Sequence, residues 1–142
     1  MALVRPLAEE ESLRSLAEIG WGRLAVLGAE GSYAVPMLFA LDGKSLLLYT
    51  RPGRKLERLR EHPGGVVFEV DDIENVTAWR SVMVVGRFEE IETTPERREL
   101  LSAEFRRRSH CYASIALTDL STEDVAIGRV VIEQLSGRAM QP

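Results

Sequence analysis

"YAVPMLFALDGKSLLLYTRPGRKLERLREHPGGVVFEVDD", residues 33–72, is the stretch whose reading decides the fold. Three short apolar runs, 33–41, 45–50 and 65–70, alternate with turn and helix signals. Runs of this length, rich in Val, Leu, Phe and Tyr, read as strands. Asp42-Gly43 between the first two is a hairpin signal. Pro36 has no N–H to give to a ladder, so it marks an edge strand or a bulge. "GRKLERLREH", residues 53–62, spaces Leu56 and Leu59 as the inward side of a short helix that Pro63 ends.

The start of that helix also carries chemistry. A phosphate wants several convergent donors, and Arg54 and Lys55 offer a planar fork and a compact charge. Thr50 ends the strand before it, Gly53 permits a tight turn, and a helix start leaves backbone N–H groups free. The plain alternative is a solvated helix. On that reading Glu57 and Glu61 pair with nearby arginines, and Arg58 and Arg60 point into water.

Outward from this stretch the pattern continues. "LAEEESLRSLAEIG", residues 7–20, reads as an amphipathic helix. Leu13, Leu16, Ala17 and Ile19 face inward, acidic residues fill the first turn, and Gly20 ends it. "GRLAVLG", "SVMVVGRFEEI" and "AIGRVVIEQLSG" are further strands, with Gly86 a bulge candidate. "TTPERRELLSAEFRRR" begins a third helix, with Thr94 as N-cap, Pro95 in the first turn, and Leu100, Leu101, Ala103 and Phe105 as buried candidates. The loop "LTDLSTED" is polar and exposed. The fold class is mainly β with a few helices (α+β), antiparallel strands closing into a small barrel within one domain, residues 1–142.

Composition narrows the function classes. A net charge of −4 argues against general nucleic-acid binding. No apolar run reaches the roughly 20 residues of a membrane helix, and the N-terminus lacks the order of a secretory signal. A cytoplasmic protein without nucleic-acid or membrane partners is expected. Cys111 is the one cysteine, and with only His62 and His110 beside it no metal site is expected. Cys111 reads as an inert small residue, although nearby arginines would lower its thiol pKa. His62 reads as a capping or surface residue. No general acid or base stands out, so the catalytic residues stay unassigned.

The order of "GRLA" (22–25), "VP" (35–36), "GRKL" (53–56), "EVD" (69–71) and "WRSV" (79–82) resembles the flavin-binding split-barrel superfamily of the pyridoxamine 5′-phosphate oxidases. The smaller branch related to nitroimidazole reductases is the nearer likeness, over residues 7–92, with "VVIEQLSGR" closing the match. The resemblance implies a six-stranded antiparallel Greek-key split β-barrel. It also implies a homodimer with FMN in a groove at the subunit interface, reducing a small-molecule electron acceptor such as a nitro compound. Arg54 and Lys55 would hold the phosphate, helped by Tyr49 and Thr50. Val35, Pro36, Met37 and Leu38 would run along the flavin ring. Ser81 would approach it from another strand, and Trp79 would cover it, line the substrate pocket, or serve as a core or interface aromatic.

Departures from the family pattern narrow the activity. The full-length oxidases place an arginine and a lysine where this chain has Val35 and Ala40, and no vitamin-gripping Arg-and-His segment follows Val130. Turnover of vitamin B6 is therefore not expected. The nitroimidazole branch often has a histidine where Tyr49 stands, which separates this chain from members whose activity depends on it. Two other readings stay open: a flavin or haem binding and storage module without turnover, and a deazaflavin-dependent reductase. Flavin chemistry needs little acid–base help, because the cofactor carries the redox step.

Overall fold

The computed structural model describes residues 3–108 and 125–141; His110, Cys111 and the loop "LTDLSTED" lie outside the described residues. The chain runs β1 (Leu3–Pro6), α1 (Glu9–Ile19), β2 (Trp21–Gly28), β3 (Gly31–Leu38), β4 (Ala40–Asp42), β5 (Ser45–Thr50), α2 (Arg54–Glu61), β6 (Val66–Asn75), β7 (Ala78–Ile91), α3 (Pro95–Arg108) and β8 (Ala126–Gln141). All strand pairs are antiparallel, in the order β3-β2-β6-β7-β8-β5-β4, with β1 added beside β8. The fold is the expected split-barrel type, but the described residues form eight strands where six were expected. The first run of the quoted stretch breaks at Phe39 into β3 and β4, and the N-terminus adds β1.

Local chemistry explains the joins. The β4–β5 hairpin turns through Gly43 and Lys44, with Gly43 at φ 60°, a conformation open to glycine. Pro36 lies on β3, which ends the strand order and among the described residues pairs only with β2, an edge position open to a residue that lacks a donor. At Gly86 the β7–β8 register shifts. A Cβ there would sit 2.2 Å from the Val131 carbonyl oxygen, so only glycine fits the bulge. Gly20 ends α1 in the left-handed conformation. Thr94 caps α3, its Oγ1 accepting from the Arg97 N–H at 3.2 Å.

The main core fills the barrel. Leu24, Val26, Phe68, Val70, Val82, Val84 and Val130 line it, and Leu16 of α1 with Leu56 and Leu59 of α2 close its ends. A second core under α3 gathers Ala40, Leu47, Ile91, Phe105 and Ile127. β5 lies between the two and is buried on both faces, which accounts for its unbroken "LLL". Three inward assignments are corrected. Ala17, Leu100 and Ala103 are exposed, and the inward positions are taken by Ser12 and Ser15 in α1 and by Ser102 in α3. Ser102 can be buried because its hydroxyl donates to the Arg98 carbonyl at 2.8 Å.

Candidate functional site

A hollow of about 390 Å³ opens where β5 runs into α2, lined by Tyr33, Tyr49 and the turn from Thr50 to Lys55. Its floor is fixed by the strand. Tyr49 packs edge-on against Phe105, with ring centroids 5.5 Å apart. Thr50 is buried, and its hydroxyl donates to the Arg51 carbonyl at 3.1 Å. Thr50 therefore shapes the turn, and its hydroxyl would have to rotate to meet a ligand. Gly53 adopts φ 155° and ψ −168°, after which α2 begins without a side-chain cap. The first-turn N–H groups thus have no intrahelical partner.

The cations of α2 fall into two groups. Arg58 is held on the far side. Its Nε meets Glu30 at 2.7 Å, Nη1 donates to the Gly31 carbonyl at 3.2 Å, and its guanidinium lies 5.7 Å from the Tyr33 ring centroid. Arg60 makes a two-pronged pair with Glu90 at 2.7 and 3.0 Å. The expected pairing with Glu57 and Glu61 inside the helix is replaced by these cross-element contacts, and Arg58 is not solvated. Arg54 and Lys55 line the hollow and have no hydrogen bond or ion pair among the described residues. Burial pushes the Lys55 amine below its ordinary pKa. An oxyanion in the hollow would relieve that penalty.

The remaining expected site residues lie elsewhere. Val35, Pro36, Met37 and Leu38 follow Tyr33 on β3, with Met37 buried and Pro36 exposed. One edge of β3 is unpaired among the described residues. Trp79 and Ser81 stand on β7, on the outer side of the sheet, and Ser81 borders a separate hollow of about 300 Å³ with Met83, Ser136, Gly137 and Arg138. Within one chain, then, Tyr49, Thr50, Arg54 and Lys55 come together, and Trp79 and Ser81 do not join them.

Sequence reasoning missed Tyr33 and Arg51 in the first hollow. Tyr33 was legible as the residue two before Val35, on the same side of the strand. It also missed a charge cluster on the outer face. Arg23 of "GRLA" meets Asp71 at 2.8 Å and Glu69 at 3.4 Å, both in "EVD". One cation between two carboxylates leaves Glu69, the more distant, with a pKa pushed up to about 7, by desolvation first and then by Asp71. His62 caps α2, its N–H donating to the Arg58 carbonyl, and Glu30 and Glu61 lie close to its ring. No helix among the described residues is long and apolar enough to cross a membrane.

Comparison with known proteins places this geometry. A family model described as pyridoxamine 5′-phosphate oxidase matches residues 8–139. A FAD-binding protein from Mesorhizobium loti is 29% identical, with a TM-score of 0.81 over 100% of both chains. A protein assigned to 5-nitroimidazole antibiotic resistance from Bacteroides thetaiotaomicron is 18% identical, with a TM-score of 0.75 over 99% of this chain and 89% of that one, a likeness of fold. An uncharacterized Rhizobium meliloti (strain 1021) protein is 31% identical over 91 residues, 64% of this chain. The match spans 60% of that relative's length.

Proposed function

Because the chain belongs to the pyridoxamine 5′-phosphate oxidase family, we propose that it is a flavin-dependent oxidoreductase with the flavin phosphate seated in the hollow between β5 and α2. The observation that carries this reading is the pair of unpartnered cations, Arg54 and Lys55, converging on an uncapped helix start. That donor set fits a phosphate: a fork, a point charge and backbone N–H groups. The ring would extend along β3 past Tyr33 toward Val35 and Met37, where an unpaired strand edge offers backbone donors and acceptors. When bound, the flavin supplies the redox chemistry, taking electrons from a reduced donor to a small acceptor. The chain's part is to hold the phosphate, orient the ring and exclude water with the apolar side chains of β3.

FMN is the cofactor this hollow suits, since its one phosphate matches the two free cations. The FAD-binding relative makes the dinucleotide the competitor. Val35 and Ala40 are apolar, so nothing at those positions would hold the charged vitamin phosphate of the family's namesake reaction. Trp79 and Ser81 would reach the ring only from a second copy, so the working unit is a homodimer. Denaturing the purified protein and measuring the mass of the released chromophore tests the reading: FMN is expected, while FAD, a deazaflavin or an empty protein would each reject it. Oxidation of reduced flavin that depends on an added small acceptor separates turnover from storage. Formation of pyridoxal 5′-phosphate should be negligible.

A further inference from the structure

The far end of α2 gathers side chains that the flavin site does not use. Glu61 is the last residue of the helix, His62 caps it, and Glu30 reaches across from the turn between β2 and β3. One ligand atom from each of the three lies within 4.8 Å of the other two. An imidazole nitrogen with two carboxylate oxygens is a donor set for zinc and its neighbours in the first transition row. Magnesium and calcium take oxygen ligands instead. A count of cysteines and histidines passes over this set, because two of its members are glutamates and one arrives from another element.

The imidazole fills space that only a glycine leaves. A Cβ on Gly28 would stand 2.7 Å from His62 Nε2, 2.8 Å from its Cδ2 and 3.2 Å from Glu30 Oε1. Gly28 ends β2 opposite Gly31 and is not among the glycines with positive φ, so its backbone makes no demand for glycine. The ring does. Nε2 stands 4.0 Å from Glu61 Oε2, its one ion-pair contact among the described residues and too long for a hydrogen bond. The nitrogen is thus directed toward carboxylates without being bonded to either.

The carboxylates are set for a cation as well. Arg58 Nε holds Glu30 Oε1 at 2.7 Å and leaves Oε2 without a partner among the described residues. An outer contact of this kind orients a carboxylate that ligates a metal. Arg58 offsets one of the two carboxylate charges, so the cluster keeps one negative charge. Zinc bonds of roughly 2.0–2.2 Å set tetrahedral ligand atoms about 3.3–3.6 Å apart. The side chains of Glu30 and Glu61 are exposed and free to rotate by the ångström or so (~1 Å) that this closure takes.

We propose that Glu30, Glu61 and His62 bind a zinc ion, with water completing its coordination, and that the ion ties the β2–β3 hairpin to the end of α2. The site stands apart from the flavin hollow at the other end of the helix and does not depend on it.

Zinc itself is the probe, titrated into the untagged full chain carrying His110→Asn and Cys111→Ser, which removes the other soft ligands. One ion should bind per chain, and the melting temperature should rise with zinc concentration. Cobalt in its place should give the visible absorption of a site with few ligands, and magnesium at equal concentration should not compete. His62→Gln should raise the zinc dissociation constant at least about tenfold. Gly28→Ala should weaken binding too, with all three ligands present and the far-UV spectrum unchanged, because the added methyl group displaces the ring. Glu57→Gln, exposed one turn earlier on α2, should bind zinc like the parent. A chain that takes up no zinc at millimolar concentration overturns the proposal. So does zinc binding that His62→Gln leaves as tight as the parent, or that magnesium displaces equally, since either outcome reduces the cluster to an acidic surface.

Discussion

The two ends of α2 are built from the same residue types and come to opposite ends electrostatically. At its start Arg54 and Lys55 border a hollow with no described partner. One turn on, Arg58 and Arg60 are neutralised by Glu30 and Glu90. The exposure of the pairs differs too: the Arg58 side chain is only 15% accessible and that of Arg60 55%. The four cations of α2 thus divide into a structural pair, Arg58 and Arg60, that ties the helix to β3 and β7, and a pair, Arg54 and Lys55, left over among the described residues. Charge that a fold does not use for itself, in the case of Lys55 half-buried at cost, is what a binding function leaves behind.

The largest expected effect falls on both ends at once. Leu59 is fully buried in the barrel core and seats the whole helix. Leu59→Ala should cost about 2–5 kcal/mol of stability, read as a shift in the denaturant midpoint. A loss below about 1 kcal/mol would mean that α2 is not anchored by its apolar side. Next comes the sharp separation of the ends. Arg54→Ala should raise the FMN dissociation constant about tenfold to a hundredfold, since a hydrogen bond to a charged partner is worth roughly 1.5–3 kcal/mol. Riboflavin, which lacks the phosphate, should bind as before. Equal weakening of both ligands would reduce the hollow to a wet surface. Arg58→Ala should behave inversely, lowering stability by about 1–2 kcal/mol because Glu30 and the Gly31 carbonyl lose their partner. Its affinity for FMN should stay within about twofold, and a phosphate-specific loss there would erase the contrast. Arg60→Ala, at an exposed pair, should move either quantity little, by about 0.2–1 kcal/mol.

Much of this was legible in the chain, and what was not has a common cause. β5 announced itself by an apolar run bounded by Gly43 and Pro52, and Pro36 correctly signalled an edge. β1 gave no such signal. All of its residues are exposed, so no alternation of apolar and polar marks it, and it is a strand only because β8 extends beside it. The inward side of α3 was misplaced because Ser102, a polar residue, sits where an apolar one was sought, paired locally to Arg98. At the site, Arg54, Lys55, Tyr49 and Thr50 are neighbours in sequence and could be read together. Tyr33 arrives from another strand and was legible only through its place two residues before Val35. Which arginines were free could not be read at all. Glu90 lies thirty positions from Arg60 in the chain, and such a pairing is a property of the fold. The Arg23–Glu69–Asp71 cluster was hidden in the same way, two family-like motifs meeting across β2 and β6.

The smallest effect probes Lys55 alone. Burial without a partner disfavours its charged form and lowers its pKa. A bound phosphate favours the charged form and raises it. Between the lowered and the raised value, binding takes up a proton, so FMN affinity should fall as pH rises through that window. Phosphate esters lose their second proton near pH 6. Above pH 7 the ligand's charge is therefore constant, and an alkaline slope belongs to the protein. The total change is bounded by the charged share of one hydrogen bond, about tenfold. Lys55→Arg keeps its charge throughout this range and should abolish the alkaline slope. Lys55→Met should bind FMN more weakly and be equally flat, and riboflavin should show no slope with any of the three proteins. A slope that survives in Lys55→Arg would place the titrating group elsewhere and remove Lys55 from the phosphate site, leaving Arg54 and the helix start to hold it.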